Sequence, residues 1–358
     1  MSAATSPAIL ILKTAALGDV LRTTSILPGL AAGGAARVTW LTAPGAVDLV
    51  RNHPLVERVV PLDVSDPTAV AACTEELASE SWQRVLSFDD EEPLCALASR
   101  LEEGGARISG AYLDGEGVRR YTEDVAPWFE MGLLSVHGKE EADRRKVANQ
   151  LTHPRIFADM LGIEMGEPDL PLAEDQLEWA RGRMGAFDGL TIGLNTGAGG
   201  RWRMKDLPPD RTVAIARALA ESRPEALRFL VLGGPPEAER NAAIVAGISE
   251  ALGAGAVVDG GTDNALQPFA ALVSCCDQLV TSDSLALHVA IARRVPVTCF
   301  FAPTSAAEIE LYGRGEKVVS TSPDYCSYAT DADNSTITTE RLCTASVRVI
   351  ERCGQGRA

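Results

Sequence analysis

Ala8-Ile9-Leu10-Ile11-Leu12-Lys13-Thr14-Ala15-Ala16-Leu17-Gly18-Asp19-Val20-Leu21 decides the fold class of this chain. Five apolar residues run together, a loop of small residues follows, and a helical pattern is predicted over 19–30. A strand that is apolar at every position, not at alternate ones, is buried on both faces, as strands of a parallel sheet are. The unit repeats downstream. Short strands are predicted at 37–41, 57–60 and 84–88, with helices near 46–51 and over 67–79. Strands alternating with helices in this way make a doubly wound α/β unit.

The alternation blurs over 110–146, which reads as irregular. A connector carrying one helix is predicted over 166–187. From residue 190 the pattern restarts, with strands at 190–194, 228–232, 255–258, 278–281 and 296–301. Helices are predicted at 211–221, 237–251, 266–275 and 286–293, and Thr338-Thr339-Glu340-Arg341 opens a last one. The expectation is two Rossmann-like domains, 1–170 and 171–358, facing a cleft. Ligands of such sheets sit outside the carboxyl ends of the strands, so the loops there carry the interest.

Composition fits this division. The chain has 358 residues, enough for two cores on a scale of about 150 residues per domain. Lys and Arg number 33 against 49 Asp and Glu, giving 33 − 49 = −16. That balance argues against a non-specific nucleic-acid binder, which needs clustered cations. Hydrophobic residues at 46% exclude a largely disordered chain, and aromatics at 5% leave aliphatic cores. No apolar run reaches the roughly 18 residues of a membrane span. The start lacks a basic segment before its apolar run, so a cytoplasmic protein is expected. The eight Cys show no paired spacing and read as reduced structural thiols, a metal site among the C-terminal ones being the alternative.

No GxGxxG, Walker loop, GxSxG or HExxH occurs, which weakens dehydrogenase, NTPase, serine hydrolase and zincin readings. Asp331-Ala332-Asp333-Asn334-Ser335 starts like a calcium loop but lacks its Gly and its closing acid, so it reads as a polar loop. Three other segments carry chemistry. In the first, Asp19 stands at a helix start and is either a cap or a carboxylate base. In the second, Asn195-Thr196-Gly197-Ala198-Gly199-Gly200-Arg201-Trp202-Arg203-Met204-Lys205 follows a strand. Its glycines, hydroxyl, amide and three cations suit a diphosphate. In the third, Ser282-Asp283-Ser284-Leu285-Ala286-Leu287-His288 lies between a strand and a helix whose amino end is a phosphate cradle. Capping by Ser282, Asp283 or Ser284 and a core role for His288 are the plainer readings of that segment.

Together these segments resemble glycosyltransferase family 9, the ADP-heptose:lipopolysaccharide heptosyltransferases. Lys205-Asp206-Leu207-Pro208, Gly233-Gly234-Pro235-Pro236-Glu237-Ala238-Glu239-Arg240, Val297-Thr298-Cys299-Phe300-Phe301-Ala302-Pro303-Thr304 and Leu311-Tyr312-Gly313 extend the resemblance in order. It implies a GT-B architecture with the acceptor in the N-terminal domain and the nucleotide sugar in the C-terminal one. It also implies an inverting, metal-independent transfer from ADP-heptose or another nucleotide sugar to a glycan or glycolipid, without a cofactor. Asp19 resembles the general base and Lys205 the phosphate-binding Lys. Asn195, Thr196, Gly197, Arg201, Ser282, Asp283, Ser284, Leu285, Ala286 and His288 fall at donor-site positions. Glu239 or Glu237 corresponds to a residue near the nucleoside. Lys13, Arg119 and Arg120 are candidates for the acceptor, although a solvated charged face is the plainer account of the arginines. A Leu at 285, where the family has Gly, departs from the pattern. Contact with the inner membrane face would follow from a lipid-borne acceptor. A GT-B sugar-nucleotide epimerase and a two-domain sugar-binding protein are the competing readings.

Overall fold

In a computed structural model, residues 7–32, 36–132, 137–198 and 203–354 are described. The chain divides into two compact units, Met1–Leu170 and Pro171–Ala358.

Unit 1 holds strands β1 (Ala8–Leu12), β2 (Arg37–Thr42), β3 (Arg58–Pro61), β4 (Arg84–Ser87), β5 (Arg107–Leu113) and β6 (Arg119–Tyr121) in the order β3-β2-β1-β4-β5-β6. All pairings are parallel except β5–β6, which is antiparallel. The described helices are α1 (Leu17–Thr23), α2 (Leu27–Ala31), α3 (Pro67–Ala78), α4 (Glu92–Glu103), α5 (Ala126–Phe129), α6 (Lys139–Ala148) and α7 (His153–Leu161). Leu10, Ile11 and Leu12 are fully buried, as the unbroken apolar run requires.

Unit 2 contains β7 (Leu190–Asn195), β8 (Leu227–Val231), β9 (Val257–Asp259), β10 (Gln278–Ser282), β11 (Val297–Phe301) and β12 (Gly315–Val319). Its sheet is parallel throughout, in the order β12-β11-β10-β7-β8-β9. Its helices are α8 (Glu174–Met184), α9 (Pro209–Ser222), α10 (Ala238–Leu252), α11 (Leu266–Val273), α12 (Leu285–Ala292) and α13 (Thr339–Gly354). Phe229, Phe300 and Ile215 fill its core, and Leu342, Ala345 and Ile350 of α13 close that core from outside the strands.

Both sheets wind outward in two directions from a central pair, β1–β4 in unit 1 and β7–β10 in unit 2. At such a switch point the loops leaving the two strands diverge and a crevice opens at their carboxyl ends. The three segments singled out in the sequence leave β1, β7 and β10.

Several expectations need correction. The stretch predicted as one helix over 19–30 is two short helices separated by a 3₁₀ turn, Thr24–Ile26, and the helix near 46–51 is a 3₁₀ segment, Pro44–Leu49. Pro28 stands two residues beyond the first and Pro44 opens the second, and a Pro lacks the backbone donor that a continuous helix needs. The described residues within 110–146 are not irregular. They contain the β5–β6 hairpin, α5 and α6, and α6 hides from a hydrophobic-pattern reading because Lys139-Glu140-Glu141-Ala142-Asp143-Arg144-Arg145-Lys146 buries only Ala142. No disulfide joins any of the eight Cys, five of which are buried, and burial pushes the Cys95 thiol up to about 12.

Truncating a fully buried core aromatic tests the packing of unit 2. Phe229→Ala should destabilise that unit by about 3–5 kcal/mol through lost burial and a residual cavity. Urea unfolding followed by a probe in unit 2 measures it, and an unmoved midpoint would contradict the packing described.

Candidate active site

In unit 1, Asp19 lies in the first turn of α1. Ala16 is the helix cap and no side chain bonds the turn, so Asp19 is not the capping residue. Its negative charge at the amino end complements the helix dipole. The carboxylate is about a third exposed, at 38%, and lies 2.8 Å from Nη2 of Arg22, whose guanidinium rests 5.1 Å from the centre of the Trp128 ring.

The loop before α1 is held from below. The Lys13 ammonium is buried and ion-paired to the equally buried Asp89, and it also donates to the Ala15 carbonyl. Asp89 accepts from the Thr14 hydroxyl at 2.9 Å, the Ala15 N–H at 3.3 Å and the Thr14 N–H. Lys13 is therefore committed inside the unit. Arg119 and Arg120, half exposed on β6, pair with Asp90 at 3.6 Å and Asp114 at 3.0 Å. Arg144, Arg145 and Lys146 pair with Glu141, Glu130 and Asp143, which makes that run a charged helix face.

In unit 2, the loop after β7 is shaped by buried polar groups. Asn195 donates to the Gly197 carbonyl at 3.2 Å. Arg240 donates to the Thr196 carbonyl at 2.8 Å and hydroxyl at 2.5 Å, and to the Leu207 carbonyl at 2.6 Å, tying the two ends of the loop together. Gly197 has to be Gly: a Cβ there would overlap the Glu237 carboxylate, which itself accepts from the Gly234 N–H at 2.7 Å. Glu237 is thus buried and internally used, whereas Glu239 is exposed on the first turn of α10. Arg201, with the neighbouring Gly199, Gly200 and Trp202, lies outside the described residues.

The loop ends in a 3₁₀ turn, Arg203–Lys205, that delivers Lys205 to the segment after β10. Its ammonium donates to the Asp283 carboxylate and carbonyl, each at 2.8 Å, and is only 12% exposed. Burial alone would raise Asp283, but the Lys205 charge, the neighbouring His288 and the hydrogen bond from Lys205 hold it at about 2. His288 Nε2 lies 3.9 Å from the same carboxylate, so this buried histidine faces the charged pair.

The hydroxyl of Ser282 is fully buried without a hydrogen-bond partner among the described residues. Ser284 caps α12 by position only: its hydroxyl meets Thr281 at 3.2 Å and no side chain bonds the helix start. Capping therefore does not account for this segment. An uncapped first turn presents backbone N–H groups suited to an anion. Leu285 is partly exposed at that turn and Ala286 is buried.

The structure thus gathers Asn195, Thr196, Gly197, Lys205, Asp283, Ser284 and His288 around one switch point, and places Asp19 and Lys13 at the other. Sequence reasoning missed Asp89 and gave Arg240 no role beyond its place in a motif. The signal for Asp89 was its place directly after the apolar run ending at Phe88, at the end of the strand that pairs with β1. Among the described residues, no group of three or more His, Cys, Asp or Glu is arranged to hold a metal ion.

Two doubly wound α/β units of this topology define a GT-B glycosyltransferase fold. The chain belongs to glycosyltransferase family 9 (heptosyltransferase), whose sequence model matches residues 136–336. It is a glycosyltransferase. Among solved structures it is similar to a family 9 glycosyltransferase from Veillonella parvula, with 18% identity, a TM-score of 0.75 and coverage of 97% of this chain and 98% of that one. It is also similar to the E. coli ADP-heptose lipopolysaccharide heptosyltransferase II, at 17%, 0.70, 98% and 99%. A third likeness is to E. coli heptosyltransferase WaaC, solved with ADP-2-deoxy-2-fluoro heptose, at 19%, 0.59, 96% and 99%. At these identities the likeness is one of fold. No curated protein sequence matches this chain.

Because Asp283 is held below its unfolded value, the stabilisation from its pairing is present above about pH 4 and lost as pH falls toward 2. Lys205→Met removes the main countercharge of this mostly buried carboxylate and leaves only His288 beside it among the described residues. It should cost about 3–5 kcal/mol at pH 7 and clearly less at pH 3, where the orphaned carboxyl protonates. Urea unfolding at the two pH values checks this, and an equal loss at both would contradict the pairing.

Proposed function

We propose that this enzyme transfers a heptose, or a related sugar, from an ADP-sugar to a hydroxyl of a lipopolysaccharide core or related glycan. The transfer is an inverting displacement without a metal ion or cofactor, and takes place in the cytoplasm. Family membership supports the reaction class, and the ADP-2-deoxy-2-fluoro heptose in the WaaC structure supports the donor. One observation carries the reading: the Lys205 ammonium stands beside the uncapped amino end of α12 at the switch point of unit 2.

Unit 2 takes the donor. The diphosphate binds the first-turn N–H groups of α12 and Lys205, with Asn195, Thr196, Gly197 and Arg201 along the same loop. Ser282, Asp283 and His288 contact the sugar, Leu285 and Ala286 border it, and Glu239 stands toward the nucleoside. Unit 1 takes the acceptor, with Arg119 and Arg120 on its side. Asp19 accepts the proton of the acceptor hydroxyl as that oxygen attacks the anomeric carbon. The bond from that carbon to the diphosphate breaks on the opposite face, and ADP leaves with the electron pair. Negative charge grows on the departing phosphate, and fixed donors placed there lower the barrier. A lipid-borne acceptor would bring the enzyme to the inner membrane face. Among the described residues no helix is long and apolar enough to cross that membrane.

Asp19→Asn should lower turnover of ADP-heptose with a truncated lipopolysaccharide core by about 10²–10⁴-fold. ADP affinity, read by calorimetry, should stay within about twofold of wild type. Wild-type turnover would remove Asp19 from the mechanism. Thermal shift tests the donor separately. ADP-heptose should raise the melting temperature more than UDP- or GDP-sugars at equal concentration, because stabilisation follows RT ln(1 + [L]/Kd). A larger shift with a UDP-sugar would overturn the choice of ADP.

A further inference from the structure

We propose that Asp89 is the positioning residue for Asp19, acting from the neighbouring strand end across the switch point of unit 1. This rests on the reading of Asp19 as the base. The loop Lys13–Ala16 sets where α1 begins, and therefore where the Asp19 carboxylate projects. Past Lys13 its residues are small, and Ala16 at the helix cap offers no side chain that could anchor the turn. Anchorage comes from outside. β4 pairs with β1 in parallel register, Leu12 opposite Ser87, so the chain leaving β4 emerges beside the chain leaving β1. Two residues after Ser87, Asp89 turns its carboxylate into that loop. One oxygen takes Lys13, and the other takes the Thr14 N–H, the Thr14 hydroxyl at 2.9 Å and the Ala15 N–H at 3.3 Å.

Asp89 is 5% exposed and Lys13 6%, so neither meets solvent enough to bind a substrate directly. A carboxylate satisfied by several N–H and O–H donors is a rigid node, because every one of those contacts must break before the loop can move. The Trp40 indole N–H donates to the Lys13 carbonyl at 3.2 Å and fixes the loop from the β2 side as well. The chemical consequence is narrow. Proton abstraction requires the base within hydrogen-bond reach of the acceptor hydroxyl, and a displacement near 1 Å costs about 10²-fold in rate. The Asp89 node supplies that constraint without touching either substrate.

The test is a double-mutant cycle in the ADP-heptose transfer assay, with Asp89→Asn, Asp19→Asn and the double variant. Asp89→Asn should lower kcat by about 10–100-fold and leave the donor KM and ADP affinity within about threefold. In the Asp19→Asn background the same change should cost under about threefold, since a misplaced base that is already absent costs nothing. An Asp89→Asn kcat within threefold of wild type, or an equal loss in both backgrounds, would overturn the inference. An Asp19→Asn enzyme at wild-type rate would overturn the base reading instead, so the two failures are distinct. Should Asp89→Asn fail to fold, Thr14→Val removes one hydroxyl donor and leaves the ion pair. It should lower kcat by about 2–5-fold at unchanged donor KM, with faster amide exchange at Thr14 and Ala15. Unchanged kcat and exchange in that variant would overturn the inference too.

Discussion

A parallel sheet covered on both faces by helices has no polar surface along its strands, so polar chemistry is confined to the strand ends. Everything of functional interest in this chain follows from that confinement. Leu10 to Leu12 and strands β8, β10 and β11 of unit 2 are buried throughout. The sheet order then selects one gap at the carboxyl edge of each unit, between β1 and β4 and between β7 and β10. The sequence places its unusual residues in these two gaps: Asp19, Lys13 and Asp89 in one, and Lys205, Asp283 and His288 in the other.

The two gaps share a device. In each unit a lysine from the loop after the first strand pairs with an aspartate from the chain leaving the partner strand, Lys13 with Asp89 and Lys205 with Asp283. A buried pair of this kind is a weak source of net stability but a strong source of geometry, because separating the partners strands a charge. The two differ in accessibility. The pair in unit 1 is sealed and serves the loop beneath Asp19. The pair in unit 2 is more open, beside an uncapped helix end and an orphaned Ser282 hydroxyl. An incoming anion there meets a lysine already positioned, at the cost of competing with Asp283 for it.

Much of this was legible in the sequence because apolar runs report burial directly. The strands at Ala8–Leu12, Leu190–Asn195 and Val297–Phe301 were found within a residue or so, and the segments after β1, β7 and β10 were picked out by composition alone. Several elements were lost: α4 and α7 although each buries an apolar face, and others because their residues do not report burial. α6 is charged on nearly every face, and β12 is an edge strand only partly covered. The longer helix expected from Asp19 is broken at Thr24–Ile26 by a tighter turn that no apolar period predicts. Asp89 and the role of Arg240 were missed for another reason. Their importance lies in which loops they reach, and a residue's partners across a sheet are set by strand order, which one sequence does not display.

α13 has a consequence for how the protein is made. Its inner face supplies Leu342, Ala345 and Ile350 to the core that also contains Phe229 and Phe300. On a ribosome, residues 1–170 are complete and able to collapse long before those side chains exist, and domains fold in the order they emerge. Unit 2 must instead wait with part of its aliphatic interior uncovered until residues 339–354 are free of the exit tunnel. During that interval the apolar surface that α13 later covers is open to self-association.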